Sequence, residues 1–256
     1  MAHEVLLVTR HEDYATLTLN RPERRNALSA QLIQEMEAAL EALEKETSIR
    51  ALLVKGAGST FCSGIDLREV EQMEDAHHPV SVQRLFARLE NFPVPTIAAI
   101  QGAALAGGLE LALHCDIRIA TRKARLGMTV ARIGLVVPFV LTRKLIEVIG
   151  APATAEILFT GQPVDAQRAY EMGMVHEVVD EQNLDSAAEA WIQKITANAP
   201  LALRVIKANI RRCMSRAYDA DHKDLDELAR QVRQSEDAKE GIRAFLEKRK
   251  PVWRAR

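Results

Sequence analysis

The chain has 256 residues, 48% hydrophobic and 27% charged, with 34 Lys and Arg against 35 Asp and Glu. That balance excludes a disordered chain, a collagen-like repeat and a small disulfide scaffold. A net charge of -1 and an aromatic content of 4% give neither the long-range field nor the stacking platform of a nucleic-acid binder.

Residues 5–10 and 14–20 read as two strands joined by a polar turn, the second with clean alternation. Arg21-Pro22 breaks the pattern, and Ser29 is placed to cap a helix over 30–46, where Leu32, Ile33, Met36, Leu40 and Leu43 recur at helical spacing. Residues 50–56 form a buried strand that ends in a glycine-bearing loop. Helices follow over 67–75 and 80–91, separated by His77-His78-Pro79. The almost wholly apolar run 96–102 predicts a strand covered on both faces. A helix starts near Gly107 and ends at His114, and 116–121 is the next strand. Beyond Val179 the strands stop, and 183–249 reads as three or four helices with a break at Asn198-Ala199-Pro200. Strands alternating with helices imply an α/β layer architecture. The expected organisation is an α/β core over 1–197 and a helical region over 198–256. In that tail Leu201, Val205, Ile206, Ile210 and Met214 alternate with Arg204, Lys207, Arg211 and Arg212, which reads as a helix with a solvated basic face. The apolar run Val5 to Val8 is too short for a signal-peptide core or a membrane span, and Cys62, Cys115 and Cys213 are sparse and without metal-ligand spacing. The expectation is a cytoplasmic protein without a metal site or a membrane contact.

Two glycine-bearing segments carry the chemistry. In Ala106-Gly107-Gly108-Leu109-Glu110 a buried strand runs through small residues into a helix start, where a ligand can approach the backbone and unpaired N–H groups suit an anion or a developing oxyanion. Phe61-Cys62-Ser63-Gly64-Ile65-Asp66-Leu67 is a second strand-to-helix junction, and two such junctions can aim one N–H each at a single point. Glu110 sits in the first turn beside that point. Asp66 is a candidate helix N-cap, and Cys62 reads as a small buried residue more than as a nucleophile.

These segments, with Asn20-Arg21-Pro22, Asn26-Ala27-Leu28, Pro95-Thr96-Ile97-Ala98, Cys115-Asp116-Ile117-Arg118, Gly173-Met174-Val175 and Phe245-Leu246-Glu247-Lys248-Arg249, resemble the enoyl-CoA hydratase/isomerase (crotonase) superfamily along essentially the whole chain. The resemblance implies a spiral of ββα repeats with a C-terminal helical trimerisation region, in a homotrimer or a hexamer built as a dimer of trimers. It implies an acyl-CoA thioester as the ligand, with coenzyme A arriving as part of the substrate and no permanently bound cofactor. By position, the Ile65 and Gly107 N–H groups would form the oxyanion hole and Glu110 would be the acid/base. Arg24, Arg25, Ala27, Ser63, Asp66, Leu67, Gly108, Thr129 and Val130 would line the CoA and acyl site, with Lys248 able to reach the nucleotide.

The sequence departs from the family pattern at one carboxylate. The second glutamate of the hydratases would lie twenty positions after Glu110, where this chain has Val130. Bulky Val137, Phe139 and Val140 follow where the family has small residues, and are expected to fill part of the acyl pocket. Syn hydration needs one group to activate water and one to protonate the α-carbon, so the sequence points to an isomerase, a decarboxylase or an atypical hydratase, with a non-catalytic acyl-CoA-binding homologue as the alternative. His77, His78, His114 and Arg132 are candidate stand-ins, Arg132 for a substrate carboxylate.

Overall fold

The computed structural model describes residues 4–71, 82–215, 230–231 and 233–252. A hairpin of β1 (Leu6–Arg10) and β2 (Tyr14–Leu19) opens the fold, and Ser29 caps α1 (Ala30–Glu44), its hydroxyl accepting from the Leu32 N–H at 3.2 Å. Then come β3 (Ala51–Gly56), α2 (Leu67–Glu71), α3 (Val82–Glu90), β4 (Thr96–Ile100), β5 (Ala103–Leu105) and α4 (Gly107–Leu113). They are followed by β6 (Ile117–Thr121), β7 (Arg125–Gly127), a 3-10 turn (Val130–Ile133), α5 (Phe139–Thr160, broken at Gly150), β8 (Val164–Asp165), α6 (Ala166–Glu171) and β9 (Glu177–Val179). Helices α7 (Leu184–Thr196), α8 (Pro200–Ser215) and α9 (Glu236–Leu246) complete the described chain. Among the described residues no helix is long and apolar enough to cross a membrane. His77, His78 and residues 72–75 of the sequence-predicted helix over 67–75 lie outside the described residues.

Two sheets organise these elements. Six strands run in the order β1-β2-β3-β4-β6-β9, parallel except for the opening hairpin, and three run in the order β5-β7-β8. The units β4-β5-α4 and β6-β7-α5 each place one strand in the large sheet and the next in the small one before the helix, which is the repeated ββα spiral. The pattern in β3, β4 and β6 explains the layering. Leu52, Val54, Ala98, Ile100 and Ala120 face the main core, whereas Ala51, Leu53, Ile97, Ala99 and Ile119 face Leu184, Ala188 and Ile192 of α7. Strand β4 is buried at every position, as its apolar sequence requires. The three-residue strands β5 and β7 carry too little periodicity to be read from sequence.

One expectation is reversed. Leu201, Val205, Ile206 and Ile210 of α8 face outward, at 52–76% exposure, while Lys207 is buried. Its ammonium donates to the Val94 carbonyl at 2.9 Å and to Asp116 Oδ2 at 2.6 Å, and Arg211 pairs with Glu90 at 3.1 Å. Lys207 and Arg211 therefore turn inward, onto acids of the α/β core, while Arg212 stays exposed. Helix α9 in turn lies directly on the 3-10 turn, where a Cβ on Gly241 would come within 2.0 Å of the Ile133 carbonyl oxygen.

Candidate active site

The site forms where the chain leaves the carboxyl ends of β3 and β4, the usual location of ligand sites in parallel sheets. Residues 62–66 run between two neighbours. On one side the Leu28 N–H donates to the Gly64 carbonyl (2.8 Å) and the Asp66 N–H to the Leu28 carbonyl (3.0 Å). On the other, the Cys62 N–H donates to the Ala103 carbonyl and the Leu105 N–H to the Cys62 carbonyl, both at 3.0 Å. Successive peptide groups of an extended segment face opposite ways. With Gly64 and Asp66 bonded toward Leu28, the Ile65 N–H faces residues 105–107. A Cβ on Gly107 would lie 3.4 Å from Ile65 N, and one on Gly64 3.4 Å from Gly107 N. Among the described residues neither the Ile65 nor the Gly107 N–H has an acceptor. The two donors expected from the sequence are thus adjacent and unspent.

The close approach depends on glycine at Gly108, where a Cβ would sit 2.1 Å from the Cys62 carbonyl oxygen. Ala106 just before has φ 49 and ψ -122, a backbone region that side-chain-bearing residues rarely adopt. Its N–H is tied to the Gly127 carbonyl at 2.8 Å, which joins the donor loop to the end of β7 and so to Thr129, Val130 and the turn beyond. Strain is therefore stored at the residue that presents the Gly107 N–H.

Glu110 lies one turn into α4. Burial pushes its carboxyl up to about 8, and among the described residues no cation or donor holds the charge. At neutral pH it is mostly protonated. His114, on the same helix, is buried, donates Nδ1–H to the Glu110 carbonyl (2.8 Å) and stacks on Phe86 with centroids 5.3 Å apart. Burial and the nearby Lys144, Arg118 and Arg143 push the His114 imidazole down to about 4, so it stays neutral and packs α4 onto α3. Cys62 is fully buried and its thiol is pushed up to about 12, which leaves no thiolate for nucleophilic chemistry.

Asp66 sits immediately before α2, its carbonyl accepting from the Glu69 N–H at 3.0 Å, and its side chain also has a distant partner. Its carboxylate pairs with Arg21 at 3.0 Å, and both side chains are largely buried. The same guanidinium donates to the Ala27 carbonyl. Buried Asn26 (φ 53) accepts from the Arg21 N–H at 2.9 Å and donates to the Ala57 and Thr60 carbonyls at 2.9 and 2.6 Å. Arg21 and Asn26 were absent from the sequence-derived site. The available signal was a polar residue tolerant of left-handed backbone beside an Arg-Pro break. Ala27 is buried, the Arg25 carbonyl accepts from the Ser63 N–H at 3.1 Å, and the Arg24 and Arg25 side chains are exposed on the rim. Val137 packs against the core, and Val140 is 41% exposed. The stem of Arg132 lies across Gly161, at the end of α5. Among the described residues no group of three or more His, Cys, Asp or Glu side chains could hold a metal ion. A cavity of about 450 Å³ lined by Glu90, Arg143, Lys207 and Arg211 lies at the opposite end of β4, away from this chemistry.

The chain is similar to known proteins over essentially its whole length. A family model described as enoyl-CoA hydratase/isomerase matches residues 9–256. A short-chain-enoyl-CoA hydratase of Clostridium acetobutylicum is 34% identical over 92% of each chain, and the 2,3-dehydroadipyl-CoA hydratase of Escherichia coli is 34% identical over 98% of this chain and 99% of the other. A crystal structure of methylmalonyl-CoA decarboxylase superposes with a TM-score of 0.89, at 27% identity and full coverage of both chains.

Proposed function

The chain belongs to the enoyl-CoA hydratase/isomerase family and is an enzyme of acyl-CoA substrates, and within that family we propose that it decarboxylates a malonyl-type CoA thioester through an enolate. The carrying observation is the Glu110 carboxyl, held protonated near neutral pH beside two unspent N–H donors, in a chain with Val130 at the second carboxylate position. Among the described residues such a site lacks the second carboxylate that syn hydration uses, but it has what a decarboxylation needs. The bond between the α-carbon and the substrate carboxylate breaks, CO₂ leaves, and the electron pair moves toward the thioester oxygen. The Ile65 and Gly107 N–H groups stabilise that oxyanion. Protonated Glu110 then gives its proton to the α-carbon and is reprotonated from water. The similarity to a methylmalonyl-CoA decarboxylase supports this reading. Arg24 and Arg25 are proposed to meet the CoA phosphates, with Ala27, Ser63, Leu67 and Gly108 along the pantetheine and thioester.

The test is release of CO₂ from methylmalonyl-CoA, run in D₂O and followed by NMR. The expected product is propionyl-CoA carrying one α-deuteron, with turnover reduced on the order of a hundredfold by Glu110→Gln. Hydration of crotonyl-CoA without decarboxylation would favour the chemistry named in the hydratase relatives. Thioester binding without either reaction would favour an acyl-CoA binder.

We further propose that other copies of the chain cover the outward apolar face of α8 in a trimer. Analytical ultracentrifugation should give a trimer or a multiple of it, and Val205→Glu with Ile210→Glu should release monomers.

A further inference from the structure

Outside the reacting groups, one largely buried ion pair has no evident part in the core. Arg21 and Asp66 sit at the surface end of the sheet, 45 residues apart, and join the two loops that carry the Ile65 peptide. The Leu28 bridge fixes the Gly64 and Asp66 peptides, but a single parallel bridge is a short lever. The Arg21 guanidinium spans it. One nitrogen donates to the Ala27 carbonyl, on the chain segment that leads into the bridge, and the other reaches Asp66 Oδ2 at 3.0 Å, on the residue after Ile65. The clamp is itself held from behind, since the Arg21 N–H donates to the buried Asn26 side chain at 2.9 Å. Arg21 and Asp66 side chains are only 14% and 12% exposed, so the pair is shielded from salt and from competing water. A planar fork with two fixed acceptors defines an orientation where a lysine would supply only a charge.

We propose that Arg21 is a positioning residue, which through Asp66 and the Ala27 carbonyl sets the direction of the Ile65 N–H toward the substrate's thioester oxygen. It touches neither substrate nor proton. The proposal rests on the enolate reading above, because only a reaction that builds charge on that oxygen rewards a fixed donor. Small misplacement of a donor is costly in such sites.

The experiment reads the oxyanion hole directly. Propionyl-CoA labelled with ¹³C at the thioester carbon is bound to the intact protein, and the carbonyl resonance is compared free and bound. Wild type should shift the resonance downfield, as a polarised carbonyl does. Arg21→Met should lose most of that shift while still binding the thioester, and kcat for decarboxylation should fall about tenfold with KM changed less than about threefold. Arg21→Lys and Asp66→Asn, which keep a charge or a hydrogen-bonding amide in place, should fall between, and serve if Arg21→Met does not fold. The double variant Arg21→Met with Asp66→Asn should be no worse than Arg21→Met alone, since both remove one contact. A full downfield shift and unchanged kcat in Arg21→Met and Arg21→Lys would overturn the proposal while leaving the enolate reading standing. Absence of any shift in wild type would overturn both.

Discussion

The buried carboxyl makes a prediction about stability that is separate from activity. A glutamate in the unfolded chain ionises near 4.5, whereas burial holds Glu110 protonated up to about 8. Because the folded value is raised, folding keeps a proton that the unfolded chain releases. Glu110 therefore costs nothing below pH 4.5, costs progressively more as pH rises toward 8, and levels off above it. Each pH unit in that window is worth about 1.4 kcal/mol, so the cost is about 3 kcal/mol at pH 7 and about 5 kcal/mol above pH 8. Glu110→Gln keeps the shape and removes the ionisation. The inactive variant is expected to be more stable than wild type, by about 3 kcal/mol at pH 7, or a Tm roughly 6–12 °C higher for a chain of this size. The assay is urea unfolding of both proteins at one protein concentration across pH 4 to 9. The difference should be small at pH 4, grow with pH, and stop growing above 8. A difference that is independent of pH, or a variant less stable than wild type at pH 8, would refute the reasoning.

Other substitutions probe the same frame. Ala106→Gly should relieve the backbone strain at φ 49 and raise stability by about 1 kcal/mol, measured by urea unfolding. Gly108→Ala should force the Cys62 carbonyl away and lower stability by about 1–3 kcal/mol, with kcat falling along with it. Val130→Glu should supply the missing second carboxylate, and hydration of crotonyl-CoA, followed by loss of enoyl absorbance, should rise on the order of tenfold or more. His114 is pushed down to about 4, chiefly by burial, so its contribution is intact above pH 6.5 and is lost as pH falls from 6.5 through 4. NMR titration of the His114 imidazole should show it neutral at pH 5.5.

The two donor loops and Glu110 were legible in the sequence because each rests on short-range pattern. A strand running into small residues and then a helix tells where unpaired N–H groups appear, and Gly107-Gly108 and Gly64 mark where backbones must touch. The parts that were not legible rest on long-range pairing. Arg21 reads as a turn residue until Asp66 is seen beside it. Asp66 reads as a helix cap, and the ion pair it also makes depends on a residue 45 positions away. Helix α8 shows the limit of hydrophobic periodicity most clearly. The usual inference places apolar side chains inward, yet here Lys207 and Arg211 turn in. Asp116, which also accepts from the Thr96 N–H at 2.8 Å and hydroxyl at 2.9 Å, and Glu90 provide fixed acids that no pattern within α8 announces.

The same contrast runs through the site and explains its economy of charge. Elsewhere the fold pairs its buried cations closely, with Lys207 on Asp116 at 2.6 Å and Lys144 on Glu90 at 2.6 Å. A cation placed equally near Glu110 would stabilise its carboxylate and leave no proton to give near pH 7. On the proposed reading, the lack of such a partner among the described residues is what makes Glu110 a proton donor and not a structural acid. Arg21 obeys the same division. Its charge is spent on Asp66, not on Glu110, so the loop proposed to aim the Ile65 N–H is fixed without lowering the proton affinity of the group proposed to complete the reaction.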